Sequence, residues 1–289
     1  DRAPEGEVPA LNDPVQVFLG ALIFSLVAVF LLESLRPLRA VGADAPSRWF
    51  NNLLLSVLST LATLCTPLLF GFITQALGTN PPWFAGLLSQ WHTPAWLAWI
   101  ATFLVLDATN YAIHRLAHVM PWLWRLHAIH HSDVEMDATT THRHHPIESL
   151  VVAALNLPVL LLLGAPPMAV LAYAVAQTVV ATVSHANMTL GAIGQRWLGW
   201  LLVTPDFHRL HHSAERRFTD SNYGMLPPWW DRLLGTATAP SFGDEARSMP
   251  LGLEYFREPP EQRLGRMLLQ PFGQHGFSRA RPLAPDAAK

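Results

Sequence analysis

The chain is poor in charged residues and has a single cysteine, and both shortages narrow what it can be. Charged residues make up 14% of its 289 residues, whereas an average soluble domain carries about 25%. The deficit is local, because no Asp, Glu, Lys or Arg occurs at residues 49–106 or 149–195. One cysteine, Cys65, excludes internal disulfides, four-cysteine zinc sites and cysteine-bound iron–sulfur clusters. The net charge of −2 gives no reason to expect a nucleic acid partner.

The long uncharged stretches predict an all-α integral membrane protein. One crossing takes about 20 apolar residues, so each stretch can hold two helices, and a further apolar run lies near the N-terminus. We predict one membrane-embedded domain over residues 1–289, with four to five transmembrane helices at about 15–35, 52–77, 95–114, 149–164 and 167–186. The fourth span is the shortest, and a re-entrant hairpin formed with the fifth is the alternative. Residues 115–148 and 187–239 are then a helical cap, followed by a tail at 240–289 that is rich in Pro, Gly and Arg.

The basic residues predict which way the chain crosses the membrane. Arg and Lys beside spans favour the cytoplasmic side. The segment before the first span is mostly acidic, whereas the loop after it carries Arg36, Arg39 and Arg48. Loop 78–94 has no basic residue, and basic residues return after the third span. We therefore expect the N-terminus outside, and the cap and the C-terminus in the cytoplasm.

Twelve of the 14 histidines lie in four short clusters and one isolated position, at the ends of the hydrophobic stretches. They are His114 and His118, then His127, His130 and His131, then His142, His144 and His145, then His185, and last His208, His211 and His212. Residues i, i+3 and i+4 share a helix face, so each His-x-x-His-His set is expected to direct three nitrogens toward one point. A lone buried histidine is more often a hydrogen-bonded core residue. Repetition of these spacings within one chain instead favours metal ligands.

Nine of these imidazoles exceed the four ligands of a structural zinc and predict a two-metal site. The predicted ligands are His114, His118, His127, His130, His131, His185, His208, His211 and His212. Imidazole suits iron, zinc, copper and nickel, so spacing alone leaves the metal open. For His145 a tenth ligand, a hydrogen-bond partner of a ligand and a helix-start hydrogen bond all remain open. His142 and His144 are expected to face solvent or lipid headgroups.

Asp107 is the predicted hydrogen-bond partner of a metal-bound histidine. It lies seven residues before His114, on the same helix face, and a carboxylate within an apolar span is costly unless it serves a function. Metal-bound histidines usually donate their second N–H to such a group. An ion pair of Asp107 with Arg115 or Arg143 is the alternative. Glu148 and Asp206 are weaker candidates for the same role.

At these residues the chain resembles the fatty acid hydroxylase/sterol desaturase superfamily of membrane enzymes, in its bacterial-type members. The resemblance covers residues 107–236 and rests on motifs in a fixed order. These are His-Arg-Leu-Ala-His (114–118), His-Ala-Ile-His-His-Ser (127–132), Arg-His-His-Pro-Ile-Glu (143–148), Ser-His-Ala-Asn (184–187), Thr-Pro-Asp-Phe-His-Arg-Leu-His-His-Ser (204–213), Asn-Tyr-Gly (222–224) and Trp-Asp-Arg-Leu-Leu-Gly-Thr (230–236). One departure is His144, which stands where the superfamily usually has an apolar or aromatic residue.

The resemblance implies a helical membrane domain in the bacterial inner membrane whose cytoplasmic helices hold two iron ions. Zinc can take the place of iron in a purified protein of this kind. The resemblance also implies O2 as co-substrate and a sterol, fatty acyl or related lipid as substrate, which is hydroxylated or desaturated. Within enzymes, an alkylglycerol-type monooxygenase is the alternative.

The electrons for such a reaction must come from another protein, because the chain has no second cysteine for a cluster. A ferredoxin or a cytochrome is expected to dock on basic side chains that include Arg209, Arg216, Arg217 and Arg232, although these could equally contact anionic lipid. Two other classes use histidines in membranes. A metal transporter would spread them along a path at several depths, and a structural membrane protein would use zinc to pin its helices.

Overall fold

The computed structural model describes residues 14–64 and 86–273, and this part of the chain is helical, with no β-strand within it. The predicted all-α class is thereby confirmed. Up to residue 184, the described ranges contain seven α-helices: α1 (Pro14–Leu35), α2 (Ala45–Leu64), α3 (Gly86–Gln90), α4 (Ala95–Val119), α5 (Pro121–His131), α6 (Pro146–Leu163) and α7 (Pro167–Ser184). Six shorter helices follow: α8 (Gly191–Leu198), α9 (Pro205–His211), α10 (Arg216–Thr219), α11 (Trp229–Leu234), α12 (Gly243–Ser248) and α13 (Leu264–Leu269).

Among the described residues, four helices are long and apolar enough to cross a membrane, and they match four of the five predicted spans. They are Pro14–Leu35, Ala95–Val119, Pro146–Leu163 and Pro167–His185. The third predicted span continues five residues beyond 114, so His118 lies on the same helix as His114. The second predicted span coincides with α2 as far as residue 64, and residues 65–77 lie outside the described part. The predicted fourth span is long enough to cross, because its helix already begins at Pro146.

Proline and glycine set the limits of these helices. α5, α6, α7 and α9 each have proline in their first turn, where the missing N–H costs no hydrogen bond. α6 ends at Gly164, whose φ of 67° is left-handed and suits glycine. A Cβ on Gly86 would come within 2.3 Å of the Gly164 backbone. The start of α3 therefore packs against the α6–α7 turn through two glycines.

Helix α4 packs against both α6 and α7, and two further helices flank this group: α1 lies on α7, and α2 lies on α6. Charged residues buried at the end of this bundle hold the histidine-bearing segments. Arg143 is fully buried and donates to the Ile129 carbonyl, the Asn52 amide oxygen and Ser132 Oγ at 2.8–2.9 Å. Glu33 accepts the backbone N–H of Asn187 at 2.8 Å. Both side chains thus fix backbone that lies within two residues of a predicted metal ligand.

Candidate metal centre

All nine predicted ligands come together in two adjacent groups at the end of the helix bundle. The five-histidine group consists of His114, His118, His127, His131 and His211, and the four-histidine group of His130, His185, His208 and His212. Within each group one nitrogen per residue lies within 4.8 Å of all the others, and every member is buried. The groups adjoin, since the His131 and His212 rings stack with centroids 4.6 Å apart.

In the five-histidine group, unprotonated Nε2 atoms point their lone pairs toward one another. Nδ1 of His114 lies 2.8 Å from the Tyr223 carbonyl oxygen, and Nδ1 of His211 lies 2.6 Å from the Ser221 carbonyl oxygen. A carbonyl only accepts, so each Nδ1 carries the proton and each Nε2 is bare. Yet these two Nε2 atoms are 3.0 Å apart. No hydrogen bond can join two acceptors, and a cation between them is what such an arrangement stabilises.

His127 repeats the arrangement with a carboxylate in place of a carbonyl. Its Nδ1 donates to Glu148 Oε1 at 2.6 Å, and its Nε2 lies 3.1 Å from His114 Nε2. Two nitrogens bound at right angles to an ion at about 2.1 Å are about 3.0 Å apart, and about 3.4 Å apart around a tetrahedral ion. The observed spacing therefore fits a metal with more than four ligands, as the size of the group also does.

The four-histidine group has the same spacing with fewer external partners. Nε2 of His185 lies 3.2 Å from Nε2 of His130 and 3.1 Å from Nε2 of His208, while its Nδ1 lies 2.7 Å from the Ala181 carbonyl oxygen. His212 has both ring nitrogens buried without a hydrogen-bond partner in the described structure, as does His118 in the other group. Buried nitrogens left in this state are rare in folded proteins and are suited to ligation.

The expectation that each His-x-x-His-His set points to one place is wrong. His127 and His131 belong to the five-histidine group, whereas His130 between them belongs to the four-histidine group. The second set divides in the opposite sense, with His211 in the five-histidine group and its two neighbours in the other. Each set therefore contributes to both groups.

Burial holds these imidazoles in the neutral form that binds metal. Burial, followed by the neighbouring histidines, lowers the pKa of His131 and His212 well below the usual value. Burial also lowers the pKa of His211 to about 3. Metal affinity of the site is therefore not limited by histidine protonation near neutral pH.

Glu148, rather than Asp107, is the carboxylate that forms hydrogen bonds with histidines of the site. Its two oxygens accept hydrogen bonds from Nδ1 of His127 at 2.6 Å and from Nδ1 of His144 at 3.2 Å. Asp107 instead accepts from Trp230 Nε1 at 2.7 Å and reaches no histidine in the described structure. Asp206 accepts the Leu190 N–H and pairs with a buried arginine, so it also serves the fold.

The third histidine cluster divides between structure and site. His145 lies in neither group: its Nδ1 accepts the Ile147 N–H at the start of α6, which is the helix-start role left open from the sequence. His144 does not simply face solvent. Its ring stacks on His130 with centroids 4.4 Å apart, and it lines a cavity that His130 also lines. With His127 and Glu148 it forms a third set of possible ligand atoms.

A loop after α10 supplies acceptors that the sequence did not reveal. It provides the Ser221 and Tyr223 carbonyls, and it brings Asp220 Oδ1 to 3.4 Å from His118 Nδ1, within ion-pair distance but without a hydrogen bond. Asn222 has a φ of 58° and bonds to the Phe207 and Thr238 carbonyls through its side chain. Main-chain acceptors leave no signal in residue identity. The only sequence signal was the polar Asp220–Tyr223 segment after the last histidine set.

A cavity of about 500 Å³ leads from the histidines between the membrane helices. Histidines of both groups line it, among them His114 and His208. Its walls are mostly aliphatic side chains of α4, α6 and α7, including Leu106, Ile113, Val152, Leu160 and Val170. The volume suits a small-molecule site, and the lining suits an alkyl chain with one segment held beside the histidines.

Comparison with known proteins agrees with this geometry. The sequence model of the fatty acid hydroxylase family matches residues 99–236, which include all nine histidines. The chain is 30% identical to "Ornithine lipid hydroxylase OlsE" of Rhizobium tropici over 237 residues, covering 78% of this chain and 68% of that protein. It is 31% identical to "Alkylglycerol monooxygenase" of Xenopus tropicalis over 146 residues, covering 50% of this chain and 31% of that protein.

A third relative is "Fatty acid hydroxylase vlmA" of Lecanicillium sp, 30% identical over 165 residues, with 49% of this chain and 43% of that protein covered. No solved structure matches the chain. Identity to OlsE extends over more than two thirds of both proteins, and the matched family region contains both histidine groups. The chain belongs to the fatty acid hydroxylase family.

Proposed function

We propose that the chain is a membrane-bound di-iron hydroxylase that oxidises an alkyl C–H bond of a lipid with O2 and external electrons. The observation that carries the proposal is the facing Nε2 atoms of buried histidines at the end of an apolar cavity. Family membership and relatives named as lipid hydroxylase and monooxygenase support the reaction class.

One ion would be held by the five-histidine group and the other by the four-histidine group. Irons bound there would supply the reduction of O2, for which side chains have no equivalent. For hydroxylation the balance is R–H plus O2, two electrons and two protons, giving R–OH and water. Desaturation uses the same inputs but removes two hydrogens from the substrate and gives two waters. The exact placement of the substrate carbon relative to the metal centre decides between the two outcomes.

The protein itself contributes orientation and exclusion of water. Glu148 and the loop carbonyls keep Nδ1 of His127, His114 and His211 protonated, so that Nε2 of these three histidines remains available to a metal. The aliphatic side chains of the cavity walls hold the alkyl chain beside the histidines. A substrate enters from the bilayer, because the cavity is formed by helices that are long enough to span it.

The electron donor is a separate protein, and its docking surface is smaller than the sequence suggested. Arg209 is buried and donates to the Met188 carbonyl and to Asp206. The prediction that Arg209 belongs to the docking surface is therefore wrong. Arg216 and Arg217 are exposed and pair with Asp220 and Glu215. We propose that an acidic ferredoxin or cytochrome docks near these two arginines. The rate of reduction should then fall as salt rises.

We also propose that the metal centre and the C-terminus lie on the cytoplasmic side of the bacterial inner membrane. The support is the charge distribution of the sequence, with the acidic N-terminal segment outside. A reporter enzyme fused to the C-terminus tests this orientation. Activity of a reporter that works only in the periplasm would contradict it.

Metal analysis combined with O2 uptake tests the proposed function against its rivals. The purified protein, reconstituted with iron, should hold two irons per chain and consume O2 only with reductant and lipid. Full activity with zinc and no reductant would contradict the proposal. A metal transporter would spread its histidines along a path, whereas these nine lie in two adjoining groups. A zinc-pinned structural protein would leave the lipids of the host unchanged.

Lipid mass spectrometry of a host with and without the gene identifies the reaction. An added oxygen indicates hydroxylation, and the loss of two hydrogens indicates desaturation. A change confined to ether lipids would favour the alkylglycerol-type alternative. An unchanged lipid profile, with iron bound and a reductant available, would count against any lipid oxidation.

A further inference from the structure

Part of the cavity wall is a patch of neutral polar side chains that metal binding does not require. It consists of Asn110 on α4, Asn156 on α6, and Tyr173 and Gln177 on α7, and all four line the cavity. Asn156 Nδ2 donates to Asn110 Oδ1 at 3.1 Å, and Asn110 Nδ2 donates to Tyr173 Oη at 3.3 Å. We name these four residues the amide cluster. It joins three helices within an apolar region, where each polar group is costly unless paired.

One acceptor of the amide cluster is left open. Asn156 Oδ1 is buried and has no hydrogen-bond partner in the described part of the chain, while its Nδ2 also donates to the Val152 carbonyl at 3.0 Å. A buried acceptor without a donor is unfavourable, and few remain in folded proteins. The side chain of Gln177, one turn from Tyr173 on the same face of α7, also makes no hydrogen bond with a described residue. The open positions suit a ligand group that donates a hydrogen bond.

The charges around the cavity restrict this ligand group to a neutral one. No lysine or arginine is among the described residues that line it. Its acidic residue, Glu148, has both oxygens engaged by histidines. Apart from any metal held by the histidines, a carboxylate, phosphate or ammonium at the amide cluster would therefore have no counter-charge in the described lining and would be costly to bury. An amide N–H or a hydroxyl meets the open acceptor without that cost.

The amide cluster lies close to the candidate metal centre. Asn110 precedes His114 by one helical turn, about 6 Å along α4. A lipid whose polar group reaches Asn156 can therefore place a carbon a short way along its chain beside the histidines.

We propose that the amide cluster binds a neutral hydrogen-bond-donating group of the lipid, an amide N–H or a hydroxyl, and so selects which carbon is oxidised. That the bound lipid is a substrate rests on the proposed function, whereas the binding itself does not depend on it. It names Asn156 as the residue that accepts the hydrogen bond and Gln177 as a second polar contact.

Binding to zinc-loaded protein tests the proposal without turnover. The probes are N-methyl palmitamide, hexadecanol and methyl palmitate, which share a long chain and differ in their donors. Wild-type protein should bind the amide or the alcohol roughly tenfold more tightly than the ester, as one added hydrogen bond to a buried acceptor predicts. The tighter of the two donors identifies the type of group.

Two cavity variants and a matched control complete the experiment. Asn156→Leu should remove the preference for the donor-bearing probe, and Gln177→Met should weaken it about threefold. The Gln177 side chain has no hydrogen bond to a described residue that the substitution would remove, so this second variant keeps the test valid if Asn156→Leu does not fold. The control is Thr109→Val, which removes a hydroxyl bonded only to the Val105 carbonyl of its own helix, outside the cavity lining. Wild-type preference in both cavity variants, or no preference in wild type, would overturn the proposal.

The iron-loaded enzyme separates this inference from the proposed function. If wild type shows the binding preference but oxidises no lipid, the proposed function fails and the binding site stands. If wild type oxidises lipids, Asn156→Leu should also shift the position of the added oxygen, as measured by fragmentation mass spectrometry. Oxidation at one unchanged position in this variant would show that the amide cluster does not select the carbon.

Discussion

Replacing Glu148 by glutamine tests whether a buried carboxylate fixes the ligand form of the histidines. Glu148 is 6% exposed, and its oxygens accept from His127 at 2.6 Å and from His144 at 3.2 Å. Glutamine keeps the shape but offers one acceptor oxygen and one amide group. Whichever way the amide turns, its N–H faces the protonated Nδ1 of one of these histidines. The substitution therefore removes the charge and leaves two donors in contact.

The expected magnitude follows from the role of such outer partners. Loss of a group that holds a metal-bound histidine lowers metal affinity by about 10- to 100-fold, equivalent to about 1.4–2.7 kcal/mol. The short contact to His127 places the effect in the five-histidine group, because His127 Nε2 belongs to that group. The four-histidine group, which does not include His127, should keep its affinity.

The assay is metal retention during dialysis against increasing concentrations of chelator, measured by elemental analysis. Glu148→Gln should lose about one ion per chain at a chelator concentration that leaves wild type with two. Glu215→Gln serves as the control, since it removes a half-exposed carboxylate paired with Arg217, and it should match wild type. Identical retention curves for Glu148→Gln and wild type would refute the role that we assign to the carboxylate.

Three further predictions address the metals and the support around them. His131→Ala and His212→Ala remove predicted ligands from different groups, so each should lower the bound metal toward one ion per chain, as measured by elemental analysis. His92→Asn is the control and should keep the wild-type metal content. Unchanged stoichiometry in both alanine variants would contradict the grouping. Arg143→Lys cannot keep the three hydrogen bonds of the guanidinium to buried partners. The loss of two of them, at about 1.5–3 kcal/mol each, should destabilise the fold by about 3–6 kcal/mol, seen as a lower Tm. The same change at exposed Arg217 should leave the Tm unaltered. Chelation should lower the Tm and added zinc restore it, since an ion at 1,000 times its Kd contributes about 4 kcal/mol; a Tm that is insensitive to metal would count against occupied sites.

The sequence alone predicted the nine histidines, the helical class and four spans to within a few residues. Uncharged runs can be read directly because an apolar helix that spans a bilayer must be continuous. The length of the third span was underestimated: it was predicted to end at residue 114, but α4 continues to Val119. Spacing identified the histidines as a set because repeated i, i+3 and i+4 positions are rare by chance.

Partners across the fold could not be read in the same way. Asp107 does share a helix face with His114, but the tertiary contact that reaches it is Trp230 on α11. Periodicity gives the face of a helix and not the element that packs there. Glu148 was a weaker candidate, and only the packing of α6 beside α5 brings it to His127. The sequence could not predict the role of the Ser221 and Tyr223 carbonyls, because any residue would supply the same main-chain oxygen.

The division of the two His-x-x-His-His sets explains why the site is suited to two ions rather than one crowded ion. On a helix the residues i and i+4 differ by about 40°, whereas i+3 lies about 60° to the other side of i. His127 and His131 thus act as a pair, as do His208 and His212, while His130 and His211 each point to the neighbouring group. Each group receives the pair of one set and the single histidine of the other, and the membrane helices add the rest from α4 and the end of α7. Because the exchange is reciprocal, both ions depend on α5 and α9 being docked together, so neither site can form fully before the two helices meet.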